Sequence, residues 1–529
     1  MDGLVMDTPL LLWGFIERAR RLYPERTVVS RTRTGTDRVT YAELAHRSKR
    51  LAAALRSLGI EGGDRVATFA WNHHRHLEAY TAIPGMGAVC HTLNVRLFAD
   101  QLAYIVRHAE DRVVLIDAEL VDMWLPFADR VPSVEAYVVM GEGGEALRET
   151  GLPVHDYEEL LAGADPIGEW PTFPESRAAF MCYTSGTTGD PKGVVHSHRA
   201  MYLHTLVHGL TDVHGIREAD VVMPIVPMFH ANAWGIPLSA TMVGASMVLP
   251  GPAPSPSDIV HLMREEEVTF AAAVPTVWQG VLEVATPDDL RSLRRIGCGG
   301  SAVPPAMISA YEERFGVPIQ QGYGMTETGP LASRAHVKSH LERTLPPPEL
   351  LELRASQGLL VPGLDMRVVD HAGAEVPWDG RTPGEIRLRG PWIASGYYGE
   401  EPFPDGWLHT GDVAVVHPEG YIRIVDRTKD LVKSGGEWIS SVELENTIMA
   451  HPDVAEAAVV GVPHPRWQER PVAFVVARPG AALSEEGVLD HLRPRVARWW
   501  LPDRVEFVSE IPKTSVGKFD KKTLRARLS

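Results

Sequence analysis

Short apolar runs of strand length alternate with longer stretches of helical spacing from about residue 39 to residue 324. Residues 39–58 (VTYAELAHRSKRLAAALRSL) open with Thr40 and, three positions on, Glu43, before apolar residues recur at helical spacing, which predicts a helix closed by a capping box. A strand-like run follows at 65–70 (RVATFA), then a helical stretch from His76 and a further run at 113–118 (VVLIDA). Later runs are AYVVM (136–140), SMVLPG (246–251), TFAAAVP (269–275), RRIGCGG (294–300) and VPIQQGYG (317–324). Strands separated by helices predict parallel sheets covered by helices. From about residue 359 the texture changes to short strand pairs with Gly, Pro and Asp turns, as in MRVVDHAGAEV, GEIRLRG and GYIRIVD. After the polar DRTKDLVKSGG (426–436) the order is helix, strand, strand, strand. The expected fold is therefore α/β: a large N-terminal domain of helix-covered sheets with a β-rich subdomain, then a small C-terminal α+β domain beyond a hinge near Asp426.

Composition narrows the class. Of 529 residues, 44% are apolar and 23% charged, as in ordinary globular proteins. Acidic residues (68) outnumber basic ones (52), for a formal charge of −16. A field of that sign repels nucleic acid and anionic lipid, so an anionic ligand must be captured by local geometry. Three scattered cysteines, Cys90, Cys182 and Cys298, exclude a disulfide framework and any CxxC zinc or redox motif, and they suit a reducing cytoplasm. The N-terminal MDGLVMDTPLLLWGF has acids where an export signal needs bases. Residues 221–257 carry no Asp, Glu, Lys or Arg, but Pro224, Pro227, Pro237, His230 and Asn232 break the stretch into buried strands and short helices rather than a membrane span.

The window YTSGTTGDPKGV (183–194) carries the most chemistry. Small hydroxyl residues, glycines and Lys192 make a flexible loop rich in N–H and O–H donors, able to wrap phosphate oxygens. It lacks the G-x4-GK[ST] order of a Walker A loop, and composition alone leaves an ordinary surface loop open. Two other features are decoys. GEGGEA (141–146) fits GxGxxA, but Glu142 and Glu145 would repel a pyrophosphate and no βαβ unit follows. His204 with His208, and the histidines of WNHHRH (71–76), have no Cys or acidic partner at ligand spacing and read as solvated or core residues.

In its full order, YTSGTTGDPKGV resembles the phosphate loop of the ANL adenylating superfamily, and four more motifs follow in that family's order. These are QGYGMTET (321–328), similar to its adenine and metal motif; GWLHTGD (406–412), to its ribose motif; DRTKDLVKSGG (426–436), to its hinge and glycine loop; and PKTSVGK (512–518), to its C-terminal lysine motif. PMFHANAW (227–234), GPWIASGYYG (390–399) and KSGGEWISSVELE (433–445) most resemble the medium- and long-chain fatty acyl-CoA synthetase branch, which also holds enzymes for short, aryl and sulfur-containing acids. The segment YYGEEPFPDGWLHTGD is tighter than that branch's usual spacing, which shortens a surface connection.

The resemblance implies an N-terminal AMP-binding domain over 1–425, a hinge at 426–431 and a mobile C-terminal domain over 432–529. It implies ATP, Mg2+ and coenzyme A as the small molecules used with a carboxylic acid. The carboxylate attacks the α-phosphorus, pyrophosphate leaves, and a thiol then displaces AMP from the acyl-adenylate; catalysis is chiefly positioning and charge neutralisation. A carrier-protein thiol or an amine as acceptor, with a non-fatty acid or another oxyanion as substrate, is the alternative that stays open. By the same resemblance Thr184, Ser185, Gly186, Thr187, Thr188 and Lys192 hold phosphate; Gly300, Ser301, Ala302, Gln321, Gly322, Tyr323, Gly324, Met325 and Thr326 surround adenine and α-phosphate; Asp412 and Arg427 take the ribose. Glu327, with Thr184, is the metal candidate, since a hard cation bridging phosphates needs only one or two protein carboxylates. Lys518 neutralises charge in adenylation. His230, Trp234 and Gly324 line the acyl passage, with Lys433, Gly435, Gly436 and Trp438 meeting the thiol step. A cytoplasmic protein is expected, and the resembling enzymes include homodimers.

Overall fold

The computed structural model describes the chain apart from residues 1–2, 34, 185–189, 371, 429, 435–436, 514–518 and 529, and apart from the side chains of residues 437–438. It divides into two compact units: Met1–Ala355 with Val361–Leu364 and Arg389–Leu408, and Ser356–Leu360 with Asp365–Leu388 and His409–Ser529.

The first unit is built on two helix-covered sheets. One runs Ser333–Arg334, Ile319–Tyr323, Arg295–Gly299, Phe270–Ala273, Val221–Pro224, Ser246–Leu249, Thr27–Arg31, Thr36–Thr40. The other runs Val154–Asp156, Ala136–Met140, Val113–Asp117, Arg65–Phe69, Val89–Thr92, Ala178–Thr184, Lys192–Ser197. Most neighbours are parallel, as the alternating pattern requires. The run Val113–Asp117 shows why its central strands are apolar throughout. Val113 and Leu115 face a core shared with Leu44, Leu51, Tyr80 and residues of the other sheet, while Val114 and Ile116 face a separate core with Phe69, Trp124 and Phe127. Strands buried on both faces cannot alternate polar and apolar positions.

The predicted capping box is present: the helix Tyr41–Ser57 has the Thr40 side chain accepting from the Glu43 N–H and the Glu43 carboxylate accepting from the Thr40 N–H. Several strands escape the pattern, Thr27–Arg31 and Val154–Asp156 among them. The edge strand Thr36–Thr40 is partly exposed, Val89–Thr92 carries His91, and Lys192–Ser197 begins inside the polar loop window. GEGGEA leads into the 3-10 turn Glu145–Thr150 and not into a helix that could receive a pyrophosphate. Among the described residues, no helix is long and apolar enough to cross a membrane.

The second unit holds a four-stranded sheet (Asp365–Val369, Gly384–Arg389, Leu408–Val416, Ile422–Arg427) and a five-stranded one. In the latter, Gln468–Ala477 pairs antiparallel with Val454–His464 and parallel with Arg504–Phe507, and the helix Ser441–Met449 packs into its core.

Candidate active site

The phosphate-loop candidate is flanked by the two strands of a β-hairpin. Strand Ala178–Thr184 pairs antiparallel with Lys192–Ser197, so Thr184 lies opposite Lys192 at the loop end of the pair. Ser185, Gly186, Thr187 and Thr188 lie outside the described residues. The hairpin is anchored from behind, where the Tyr183 hydroxyl and His108 Nδ1 are 2.6 Å apart. Lys192 forms an ion pair with Glu400 at 3.0 Å and lies 4.6 Å from the Tyr397 ring centroid.

The strand Ile319–Tyr323 delivers the second group of candidates to the carboxyl end of the sheet, where open α/β sheets hold ligands. Gly324 must be glycine: a Cβ there would lie 1.7 Å from the Pro330 carbonyl oxygen. The tight turn Thr326–Thr328 follows, with Thr326 Oγ1 in a residue 8% exposed and Glu327 in one 3% exposed. The Tyr397 hydroxyl donates to Glu327 Oε1 at 2.8 Å, and the Ala394 N–H donates to the Glu327 carbonyl at 2.8 Å. Burial, then the Glu327 carboxylate, pushes the Tyr397 phenol upward, so it stays a proton donor. From behind, His196 Nε2 lies 2.9 Å from the Thr326 carbonyl, and burial lowers that imidazole to about 4, leaving it neutral. Gln321 is buried and its side-chain oxygen accepts the Val303 N–H at 2.7 Å; it shapes the turn holding Gly300, Ser301 and Ala302.

The acyl candidates sit on an unusual backbone. Ala231, Asn232, Ala233 and Trp234 have φ of 42°, 55°, 48° and 57°, followed by Gly235 at 73°. Left-handed backbone costs about 1–2 kcal/mol per non-glycine residue, and such strain persists only where surroundings over-determine it. Asn232 supplies part of that support: buried, it donates to the Tyr80 hydroxyl at 3.3 Å and accepts from Cys182 Sγ at 3.4 Å. The turn lays the Trp234 indole over a glycine edge: Cβ atoms on Gly299 and Gly300 would lie 3.4 and 3.8 Å from it. His230 precedes this turn, its N–H bonded to the Pro227 carbonyl at 3.0 Å. Behind Gly235 lie His204, His208 and His214, with ring centroids 4.1 and 4.5 Å apart in sequence order. Burial holds all three imidazoles far below their usual range.

In the second unit Asp412 and Arg427 face each other on adjacent antiparallel strands and pair at 3.0 Å (Arg427 Nε to Asp412 Oδ1). Thr410 Oγ1 fixes the approach by donating to the Ile386 carbonyl at 2.7 Å while accepting the Asp412 N–H at 3.1 Å. Asp426 is buried, which raises its carboxyl, and its Oδ2 accepts the Ser441 N–H at 2.6 Å. Lys521 bridges Glu445 at 2.6 Å and Ser441 Oγ at 2.5 Å, and Arg525 pairs with Asp430 at 2.5 Å. Lys433 and Trp438 are register partners on a short hairpin. Gly435, Gly436, Lys518 and the hinge residue Lys429 lie outside the described residues.

The structure thus brings Thr184, Lys192 and Glu327 into one neighbourhood through Tyr397, sets Trp234 beside Gly300, and pairs Asp412 with Arg427. Sequence reading missed Tyr397, Glu400, Asn232 and Tyr80. Tyr397 lies within the quoted GPWIASGYYG, but nothing in one sequence pairs it with a glutamate 70 positions earlier.

Among the described residues no three His, Cys, Asp and Glu side chains are grouped to hold a metal ion. Glu327 presents a buried carboxylate, oriented by the Tyr397 hydroxyl, whose hard oxygens are of the type that a magnesium ion takes.

The chain belongs to the AMP-binding enzyme family. The model of that family matches residues 16–398, and the AMP-binding enzyme C-terminal domain matches residues 443–518. Relatives include a long-chain-fatty-acid–CoA ligase of Thermus thermophilus, 51% identical over 98% of this chain and 96% of that protein. A 3-methylmercaptopropionyl-CoA ligase of Ruegeria lacuscaerulensis is 44% identical over 99% of this chain and 98% of that one. Among solved structures, the anthranilate CoA ligase AuaEII in complex with anthranoyl-AMP superimposes with a TM-score of 0.86 at 27% identity, covering 98% of each chain.

Proposed function

We propose that this protein is an AMP-forming acid–thiol ligase. It activates a fatty or related carboxylic acid with ATP to an acyl-adenylate, then transfers the acyl group to the thiol of coenzyme A. The observation that carries the reading is the arrangement of Lys192, Glu327 and Tyr397 at the loop end of the phosphate hairpin, in a chain whose relatives over nearly its whole length are CoA ligases.

The chain's own groups position and neutralise. Thr184 and Lys192 hold the triphosphate, and the buried Glu327 presents an oxygen to a magnesium ion that, when bound, supplies positive charge to the phosphates. Gly324 lets the backbone approach closely, Tyr323 offers a face to adenine, and Asp412 with Arg427 takes the ribose. Lys518 neutralises the carboxylate and α-phosphate in the first half-reaction. A swing about residues 426–431 then brings Lys433, Gly435, Gly436 and Trp438 to the adenylate for the second. His230 and Trp234 line the acyl path. A cytoplasmic homodimer belongs to the same reading, on the resemblance alone.

An acid panel assayed for AMP with and without coenzyme A tests the reaction: AMP release should require acid, ATP and coenzyme A together. AMP formed only with a carrier-protein thiol or an amine would replace the acceptor. Lys518→Ala should abolish adenylation while sparing thiol transfer from preformed acyl-adenylate; equal loss in both would remove that role.

A further inference from the structure

The loop Gly390–Trp407 carries GPWIASGYYG, a motif to which the reaction as described assigns no part. Three segments meet at one of its side chains. The Tyr397 hydroxyl reaches Glu327, its ring faces the Lys192 ammonium, and its near neighbour Glu400 forms the ion pair with Lys192. The backbone fixes this meeting from both sides. The Ala394 N–H bonds to the Glu327 carbonyl, the Tyr398 N–H to the Gly193 carbonyl, each at 2.8 Å, and the Glu400 N–H to the Tyr397 carbonyl at 3.0 Å. Tyr397 is therefore registered against the turn that holds Glu327 and against the strand that starts with Lys192.

We propose that Tyr397 is a positioning residue for adenylation: its hydroxyl aims the Glu327 carboxylate at the phosphate-bound metal, and its ring holds the Lys192 ammonium ready for the triphosphate. This rests on the reading of Glu327 as metal ligand given above. A carboxylate that binds a cation is oriented by its own hydrogen-bond partner, and loss of such a partner typically weakens metal affinity ten- to a hundredfold. The hydroxyl and the ring serve different ends: phenylalanine keeps the ring but loses the donor, and a polar aliphatic side chain loses the face. Lys192 and Glu400 are about half exposed (46% and 49%), so their pair is screened and exchangeable. An incoming phosphate can take Glu400's place while the ring keeps the ammonium near.

The test reads binding, not turnover. The affinity of the full-length protein for a fluorescent ATP analogue is measured without acid substrate, in EDTA and then in Mn2+, for wild type, Tyr397→Phe, Tyr397→Leu and Glu327→Gln. Tyr397→Phe should bind the metal-free nucleotide like wild type yet lose about tenfold of the tightening that Mn2+ confers. Tyr397→Leu should lose that and also weaken metal-free binding by about threefold, as the ring under Lys192 is removed. Glu327→Gln should lose the tightening. If Glu327→Gln keeps it in full, the metal reading of Glu327 is wrong. If Glu327→Gln loses it and Tyr397→Phe keeps it, the reading stands and the role of Tyr397 is overturned. A Tyr397→Phe protein that does not fold, judged by near-ultraviolet circular dichroism, would also overturn it, because the hydroxyl would then serve the fold.

Discussion

Two ends of the candidate site handle charge in opposite ways. At the phosphate-loop candidate, Lys192 stays half exposed and rests on partners it can leave, Glu400 and the Tyr397 ring. Behind the Trp234 turn, His204, His208 and His214 are buried against one another, and loss of solvent keeps each neutral. Neither His208 ring nitrogen has a hydrogen-bond partner among the described residues. Arg334, buried nearby, is pushed down to about 9, first by burial and then by Arg295. The first end is arranged to trade partners when an anion arrives. The second keeps buried imidazoles neutral behind the Trp234 turn, which the proposed reading assigns to the acyl path, and it stores strain in that left-handed turn. On the proposed reading, nucleotide binding and selectivity for the acid are therefore properties of separate groups, although a side chain on Gly300 would meet Trp234.

That division can be broken group by group. The largest effect belongs to Glu327→Gln, which should reduce AMP formation on the order of a hundredfold to a thousandfold; its melting temperature should stay near that of wild type. Asn232→Ala strips support from the strained turn and should lower stability by about 2 kcal/mol. It should also alter acid preference in a panel assay and leave nucleotide affinity unchanged; altered ATP binding would merge the two ends. Acid should loosen the fold through the buried imidazoles. His76 and His198 are each lowered to about 4, by burial first, so between about pH 6.5 and 4 the unfolded chain takes up protons that the folded one refuses. Stability is then complete above pH 6.5 and falls with pH by about 1.4 kcal/mol per unit for each such histidine; urea melts at pH 6.5 and 5 measure it, and equal midpoints would contradict it. The smallest effect is that of His208→Leu. Removing two unbonded ring nitrogens should leave stability unchanged or raise it by up to about 1 kcal/mol, and a large loss would mean that those nitrogens have hidden partners.

Much of this was legible in the chain. The apolar runs gave the strands because both faces of each central strand are covered, as Val113–Asp117 shows. Thr40 and Glu43 announced a helix start because capping is local. The candidates Thr184, Lys192, Glu327, Asp412 and Arg427 were singled out because the short windows that hold them resemble family motifs, and the structure sets Thr184 opposite Lys192 and pairs Asp412 with Arg427. What stayed hidden joins distant windows: Tyr397 with Glu327, Glu400 with Lys192, Asn232 with Tyr80. The left-handed turn was hidden for another reason. Only Gly235 advertises positive φ, while Ala231 to Trp234 adopt it because surrounding contacts compel them.

The most direct measurement is exchange of labelled pyrophosphate into ATP, with acid present and coenzyme A withheld. A protein that grips the triphosphate so that a carboxylate can displace pyrophosphate should catalyse acid-dependent exchange, and Glu327→Gln should lose it. Exchange that needs coenzyme A, or that survives in Glu327→Gln at the wild-type rate, would contradict the account.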